Sequence, residues 1–276
     1  MKVQLVTDSA SDIPKALIDK YNIEVVPLNI IFENQSYKDQ IEIDTHTFYE
    51  MMSRNKELPK TSQPTPQAFA EAFRKAHVRG PVLCITLSSG LSGTYQSALL
   101  AKKMVDFEVE IIDSLTASIG IGLLVVEACE LAEKGYNLHE IKTKILEYRQ
   151  ELKTYFTLNT LENAVKGGRV AKWEGSIAQI LSIKPVMSFL PDGSVGNQEK
   201  ISGRKRAIKR IIQLIENLSK DCTNRRLGIA HAMVEEEVEY IVKELKRIIQ
   251  PKEIIVTRLG PVLGTHGGFG TIGVVI

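Results

Sequence analysis

Cysteine is scarce in this sequence, and its three cysteines are far apart. Cys84, Cys129 and Cys222 form no C-x-x-C pair, and the first two lie in apolar stretches. An odd number of dispersed thiols argues against a disulfide framework and against a cysteine-ligated zinc site. The pattern is typical of reduced, packed cysteines in a cytoplasmic protein.

The sequence also lacks a long apolar run and a strong charge of either sign. Its longest apolar run, residues 119–126, ends at Glu127 and is well short of the roughly 18 residues that a membrane span requires. The N-terminal residues turn polar too early for a signal peptide. The net charge is only +2, which gives no general case for nucleic-acid binding. We therefore expect a cytoplasmic protein that binds no nucleic acid.

Three catalytic signatures are missing. No glycine is followed by lysine, so the chain has no Walker-type phosphate cradle, and no H-E-x-x-H metal motif occurs. The segment Gly90-Leu91-Ser92-Gly93 resembles the G-x-S-x-G elbow of serine hydrolases, but Thr94 occupies the last glycine position. A serine acyl-hydrolase that uses Ser92 with His266 as its base remains an alternative function.

The most distinctive segment that is present is a loop rich in serine and glycine at residues 88–98. It follows the apolar run 82–87 and leads into a helical segment at 99–105. A strand, a Gly/Ser loop and a helix in this order direct backbone N–H groups and the positive helix end at an anion. Because the loop has no Lys or Arg, its hydroxyl and amide donors suit a carboxylate or a single phosphate better than a triphosphate.

Short β-branched runs alternate with helical segments in the first half of the chain. Predicted strands cover residues 3–6, 23–31, 82–87 and 109–112. Asp12 is the predicted N-cap of the first helix, with Pro14 in its first turn. A helix is predicted over 116–134, where Gly120, Ile121 and Gly122 are small and apolar enough either to line a cavity or to pack in an ordinary core. This alternation indicates a parallel sheet.

The second half of the chain has a different pattern. Strands are predicted at 155–158, 186–190 and from 195 onward, the last two joined by a turn at Asp192-Gly193. Residues 203–219 and 235–249 are predicted helices, and 227–230, 254–257 and 273–276 are predicted strands. We therefore expect an α/β protein with two domains: a Rossmann-like parallel-sheet domain over residues 1–155 and an α+β domain over residues 156–276.

Polar residues follow three of the predicted strands in the first half. Asp8 and Ser9 follow the first strand, residues 88–94 follow the strand at 82–87, and Asp113 and Ser114 follow the next one. In open parallel sheets, ligands bind beyond the carboxyl ends of the strands. We expect these groups to converge on one site.

Two more segments carry hydroxyl or imidazole groups. Residues 60–66 are either a helix-start loop with Ser/Thr caps and prolines or a second set of hydroxyl donors that faces the first loop. Residues 259–271 form a glycine-rich loop around His266. That loop is either an irregular connection or part of a site, in which the imidazole donates to an oxyanion or holds a proton near neutral pH.

The local cations are Arg169 and the basic run between Arg204 and Arg210. Charge runs on helices are usually solvated faces. Arg169 differs because the preceding Gly167-Gly168 pair indicates a turn that directs its fork-shaped side chain, which suits phosphate and carboxylate. A regulator that senses lipid through the helix at 203–219 is a further alternative, without DNA binding, since no helix-turn-helix signal accompanies that helix.

Together these segments resemble the DegV family, the fatty-acid-binding proteins of bacterial fatty acid kinase. The resemblance spans the whole chain, with motifs in matching order and spacing: Thr7-Asp8-Ser9, residues 60–64, residues 88–98, Asp113-Ser114, Leu161 with Gly167-Gly168-Arg169, Lys184-Pro185 and Gly264-Thr265-His266-Gly267. One departure is visible. From His266 the chain has His-Gly-Gly-Phe-Gly-Thr where the family more often has His-Thr-Gly-Pro-Gly-Thr, which alters loop stiffness but keeps the histidine.

The resemblance implies that one long-chain fatty acid lies in a tunnel between the two domains. It implies five carboxylate-binding residues, Thr61, Ser62, Ser92, Gly93 and His266, and two arginines near the mouth on the partner and phosphate side, Arg169 and Arg204. By the same resemblance the chain is a non-catalytic subunit without a metal or cofactor of its own. It would present the carboxylate to a dihydroxyacetone-kinase-like catalytic subunit, which supplies ATP and Mg²⁺ and forms acyl phosphate for phospholipid synthesis. Transient membrane contact would exchange the lipid.

Overall fold

A computed structural model describes residues 1–55, 57–169, 184–218 and 225–276. In chain order the strands are β1 (Gln4–Asp8), β2 (Glu24–Val26), β3 (Asn29–Phe32), β4 (Gln35–Lys38), β5 (Lys60–Ser62), β6 (Val82–Thr86), β7 (Val109–Asp113), β8 (Thr154–Thr157), β9 (Val186–Phe189), β10 (Val195–Glu199), β11 (Arg226–His231), β12 (Glu253–Arg258) and β13 (Ile272–Val275). The helices are α1 (Lys15–Tyr21), α2 (Thr45–Arg54), α3 (Pro66–His77), α4 (Thr94–Lys102), α5 (Ile119–Glu133), α6 (Leu138–Glu151), α7 (Glu162–Lys166), α8 (Arg204–Leu218), α9 (Glu235–Ile248) and α10 (Pro261–Gly267). Cys84 and Cys129 are buried free thiols, and Cys222 lies outside the described residues.

The predicted parallel sheet is confirmed. Strands β2, β1, β6 and β7 lie side by side in that order, and every pair is parallel. Alternate residues of β6 enter two different cores: Val82 and Cys84 pack with α3 and α4, whereas Leu83 and Ile85 pack with α5. Helices therefore cover both faces, which explains why β6 is a continuous apolar run.

Residues 23–31, predicted as one buried strand, form two strands in different sheets. β2 ends at Val26, and β3 begins at Asn29 within a small antiparallel sheet of order β4-β3-β5. Pro27 lies between them and has no N–H to continue a ladder. The Leu28 amide donates instead to Ser9 Oγ at 3.0 Å. The break directs the chain into the small sheet that carries Thr61.

The later strands form a mixed sheet of order β10-β9-β8-β13-β11-β12. Its pairs are antiparallel except for β11 with β12, and β9 and β10 form the predicted hairpin, in which Gly193 has a φ of +76°. Helix α5 is almost wholly buried, and its core includes Ala230 and Val275 of the mixed sheet as well as residues of the parallel sheet. The two halves thus share one apolar core, and the division at residue 155 stays a prediction.

Asp12 was predicted wrongly as the cap of α1. That helix begins after Pro14, and Asp12 is buried with a φ of +47°. Its carboxylate accepts hydrogen bonds from Ser118 Oγ at 2.5 Å and from the Gly260 amide at 3.0 Å. Asp12 therefore connects the start of α5 to the start of α10, and burial raises the pKa of its carboxyl well above its usual value.

Among the helices of the described ranges, none has both the length and the apolar character that crossing a bilayer requires.

Candidate ligand cavity

A cavity of about 380 Å³ is lined by residues from both halves of the chain. Its volume falls in the range of small-molecule sites. Most lining side chains are apolar: Leu28, Leu87, Leu91, Ala117, Ile119, Phe156, Leu158, Ala164, Phe189, Val195, Ala230, Leu259, Val262, Leu263 and Val275. The cavity can therefore remove a long apolar group from water.

Polar groups gather at one part of this lining. They include all five residues that the sequence predicted for carboxylate binding: Thr61, Ser62, Ser92, Gly93 and His266. Strand β5 supplies two of them, the loop after β6 supplies two, and α10 supplies the histidine. These residues are far apart in the chain, and the small sheet and the short helix α10 bring them to the same cavity.

Thr61 and His266 form a direct pair. Thr61 Oγ1 and His266 Nε2 are 3.0 Å apart and share a hydrogen bond whose direction depends on the imidazole tautomer. Burial, with a smaller contribution from the Arg169 charge, lowers the pKa of His266 to about 4. The imidazole is therefore neutral at neutral pH, so it acts as a hydrogen-bonding group and not as a cation.

Glycine at position 167 allows this ring to lie where it does. A Cβ on Gly167 would overlap His266 Nδ1. Within the described residues, that buried nitrogen has no hydrogen-bond partner. The two glycines therefore have different roles: Gly167 leaves space for the imidazole, whereas Gly168, with a φ of +68°, turns the chain.

The serine-glycine loop leads into a helix, as the sequence predicted, but α4 begins at Thr94 and ends at Lys102, so residues 94–98 of the predicted loop are helical and the predicted helix at 99–105 was placed too late. Ser92 Oγ lies 2.9 Å from Thr94 Oγ1 and accepts a hydrogen bond from the Thr94 amide at 3.3 Å. Gly93 immediately precedes the helix, and a Cβ there would overlap the side chain of Gln63. Gln63 in turn donates to Ser97 Oγ at 3.0 Å. The loop therefore presents hydroxyl and amide donors together with the positive end of a helix.

Hydrogen bonds connect the three strand ends, but the polar residues expected to form one site are divided: the loop after β6 lines the cavity, whereas Asp8, Ser9, Asp113 and Ser114 do not. Asp8, the last residue of β1, accepts from the amides of Ala10 and Leu87 at 3.0 and 2.7 Å. Asp113 Oδ1 accepts from the Ser89 amide at 3.1 Å. Burial raises the pKa of Asp8 to about 7. These carboxylates hold the loop through its backbone amides and do not line the cavity.

The β9–β10 hairpin of the second half holds the same loop from the other side. Ser88 Oγ donates to the Gly193 carbonyl at 2.7 Å and accepts from the Gly90 amide at 3.1 Å. A Cβ on Gly90 would lie 2.6 Å from the Gly193 carbonyl carbon. The contact is therefore backbone against backbone, and the loop geometry depends on both halves of the chain.

The two predicted arginines have different positions. Arg169 is exposed, lines the cavity and donates from Nη1 to the Gly167 carbonyl at 2.6 Å. Arg204 belongs to α8, where its Nε and Nη2 donate to the carboxylate of Glu237 on α9 at 2.5–3.1 Å. Arg169 is thus a cation at the cavity, whereas Arg204 connects two helices.

Two further expectations concern helices α5 and α10. Gly120, Ile121 and Gly122 were candidates either for the tail cavity or for an ordinary core, and the core is where they lie: Ile119 lines the cavity, and Gly122 allows α5 to approach the Ser11 carbonyl. The stretch around His266 was expected to be an irregular loop, but Pro261–Gly267 is a helix. Proline occupies its first turn, where its missing N–H is not needed.

The mixed sheet supplies a wall of the cavity that no sequence motif indicated. Thr154 and Phe156 of β8 alternate with Leu158 just beyond it, and Thr271, just before β13, alternates with Gly273 and Val275; all six line the cavity. Such alternation is the signal of one sheet face. It did not indicate a cavity because the same pattern describes an ordinary core.

Known proteins resemble this chain over almost its whole length. Residues 2–276 match the model of a protein family described as uncharacterised, the DegV family. A DegV domain-containing protein of Clostridium acetobutylicum is 36% identical over 277 residues, which cover 99% of this chain and 97% of that protein. A fatty-acid-binding DegV family protein of Thermus thermophilus has a similar solved structure, with a TM-score of 0.93, 31% identity and coverage of 100% and 99% of the two chains. A stearic-acid-binding protein of Eubacterium ventriosum gives a TM-score of 0.90 at 26% identity, with 99% and 97% covered.

Proposed function

The chain belongs to the DegV family, and we propose that it binds one long-chain fatty acid in the cavity described above. The observation that carries the proposal is the cavity itself, which joins a long apolar wall to a cluster of hydroxyl, amide and imidazole groups. The similar structures of a fatty-acid-binding DegV family protein and of a stearic-acid-binding protein support the same ligand class.

Burial of the tail supplies the driving force. About 15 methylene groups at roughly 0.8 kcal/mol each give a gross gain on the order of 12 kcal/mol. Ordering of the chain and of the protein offsets part of this gain. The apolar side chains of both halves are the surface against which these methylenes pack.

The carboxylate requires hydrogen bonds because a buried anion without partners is costly. Ser92 and the Gly93 amide offer donors. The Thr61–His266 pair offers one more, from the Thr61 hydroxyl or from the imidazole according to the tautomer, because the other donor is used within the pair. Ser62 Oγ accepts from the Asn29 side chain at 3.3 Å, which leaves its own O–H free to donate. Donors that are mostly uncharged hold the anion and leave one oxygen nucleophilic.

We propose further that the bound acid is the substrate of a separate, dihydroxyacetone-kinase-like subunit, for use in phospholipid synthesis. The carboxylate oxygen would attack the γ-phosphorus of ATP on that subunit, the bond to the bridging oxygen would break, and ADP would leave. Positioning and charge stabilisation dominate such transfers. Arg169 lies exposed at the cavity and would neutralise charge on the incoming phosphoryl group, while the partner would provide ATP and Mg²⁺.

The geometry counts against the alternative serine acyl-hydrolase. His266 Nε2 pairs with Thr61 Oγ1, whereas Ser92 Oγ pairs with Thr94. A nucleophilic serine needs its base within hydrogen-bond reach and an acid to orient that base. Within the described residues, Nδ1 of His266 has no such partner.

Native mass spectrometry of gently purified protein tests the binding step. A co-purifying mass equal to that of a long-chain acid is expected, and delipidated protein should take up palmitate or oleate. Ser92→Ala and His266→Ala should each weaken uptake. Ser89→Ala is the matched control, because Ser89 is an exposed serine of the same loop and does not line the cavity. Protein that is empty and refuses every long-chain acid would contradict the proposal.

The kinase step is tested separately by adding a catalytic subunit, ATP and Mg²⁺ and trapping acyl phosphate with hydroxylamine. Product is expected from the native chain and from Ser89→Ala, and little from Ser92→Ala. Labelling of Ser92 by a fluorophosphonate probe, with hydrolysis of acyl esters in the absence of a kinase, would favour the hydrolase instead.

A further inference from the structure

A second cavity, of about 520 Å³, lies beside the first. Thr154 and Phe189 line both cavities. The other walls of the second cavity come from the loop after β7, the end of α6 and the segment after β9. Thr154 and Phe189 therefore lie where the two volumes meet.

The shared wall lies at one end of the first cavity. Along β13 and the residue before it, the cavity-lining residues run from Thr271 to Val275, and Val275 pairs with Thr154 of β8. The Thr271 end adjoins the polar cluster, since a Cβ on Gly267 would lie 2.7 Å from Thr271 Oγ1. Four residues of strand span about 13 Å. Thr154 is therefore at the end of the sheet face that is remote from His266.

Phe189 occupies the position next to Thr154 on the same face. β8 and β9 are antiparallel, with Phe156 opposite Met187. Phe189 is two residues after Met187 on β9, so its side chain lies on the same face as those of Met187 and Phe156. Because the strands are antiparallel, Phe189 lies opposite Thr154. The rings of Phe156 and Phe189 pack with centroids 5.7 Å apart. The Phe189 ring is thus half-buried between the two cavities and is held by an aromatic neighbour.

We infer that Phe189 closes the tail end of the cavity and sets the longest acyl chain that the protein accepts. The inference rests on the proposed function, because it assumes that the carboxylate lies near His266 and the tail extends along β8 and β13. Loss of the ring would join the two cavities. Leu115 and Leu152 of the second cavity would then offer apolar surface to additional methylenes.

Competition binding to delipidated protein with a series of saturated acids, from myristic to behenic, tests the inference. The native chain is expected to show an optimum length, beyond which affinity falls. In Phe189→Ala the optimum should move to longer acids, with affinity rising up to about fourfold for each methylene that gains burial. Phe189→Leu should show a smaller shift in the same direction.

Leu190→Ala is the matched control. Leu190 is the next residue, is 45% exposed, and lines the second cavity but not the first. Its removal should leave the optimum length unchanged. Circular dichroism and thermal melts establish that each variant is folded. If Phe189→Ala does not fold, Phe189→Leu alone tests the inference.

The outcomes separate the inference from the proposed function. An unchanged optimum in folded Phe189→Ala or Phe189→Leu, or an equal loss of affinity for all lengths, would overturn the role of Phe189 while leaving fatty acid binding intact. If the native chain bound none of the acids, the proposed function itself would fail.

Discussion

Protonation of His266 should differ sharply between the empty and the loaded protein. In the empty cavity, burial and the nearby Arg169 lower its pKa to about 4. A bound carboxylate beside the ring favours the imidazolium and should raise that pKa. NMR titration of the ring resonances of the five histidines gives the midpoints, and the variant His266→Gln identifies the signal. We expect a midpoint near pH 4 without acid and a clearly higher one with palmitate bound.

The same shift has a consequence for stability, with a definite sign. Above pH 6.5 the imidazole is neutral in both the folded and the unfolded chain. As the pH falls from 6.5 toward 4, the unfolded chain takes up the proton and the folded chain does not, so the free energy of unfolding decreases. A difference of about 2.5 pH units at 1.36 kcal/mol per unit corresponds to about 3 kcal/mol.

His266→Gln is the reference for this measurement because it removes the titration and keeps hydrogen-bonding capacity. The buried carboxyls of Asp8 and Asp39 have pKa values raised to about 7 and act in the opposite direction, but they are common to both proteins. Urea unfolding at a series of pH values should show the native chain losing stability relative to the variant between pH 6.5 and 4. A constant difference, or a free-protein midpoint near the ordinary histidine value, would refute the reasoning.

Three further substitutions follow from the geometry. Gly167→Ala should displace the His266 ring, because the added Cβ overlaps Nδ1. Isothermal calorimetry should then show palmitate binding weakened roughly tenfold. Unchanged affinity would show that the ring position is unimportant for binding. Gly273→Val adds a side chain on the cavity face of β13 and should lower affinity for stearate more than for myristate, whereas an equal effect on both would contradict its position beside the tail. Ser88→Ala removes the 2.7 Å hydrogen bond to the Gly193 carbonyl and should lower the free energy of unfolding by about 1–3 kcal/mol; chemical denaturation that detects no change would show that this link between the halves is energetically neutral.

The local chemistry of the loop after β6 could be predicted from the sequence alone. An apolar run, a Ser/Gly segment without charge and a helical segment specify a strand, an anion-binding turn and a helix through short-range rules of backbone geometry and capping. The hairpin at Asp192-Gly193 could be predicted for the same reason, since a positive φ at Gly193 is a property of two residues and their neighbours.

Asp12 could not be placed from the sequence because a local signal competes with distant partners. It has the side chain of a helix cap, yet Ser118 and the Gly260 amide, which are far along the chain, donate hydrogen bonds to its carboxylate in the core. Residues 23–31 are a different case. They are mostly apolar, but Pro27 is a local break that divides them between two sheets.

The sequence by itself determined the kind of ligand chemistry: neutral donors, one imidazole, no phosphate cradle, and motifs that resemble a family which binds fatty acids. Only the tertiary structure decided that Thr61 touches His266, that the imidazole is neutral in the empty cavity, and that Phe189 stands between two cavities. Residue types carry donors and charges, and these are visible in the chain. Distances, burial and the volume left between side chains arise from packing of segments that are remote in sequence, which no local pattern encodes.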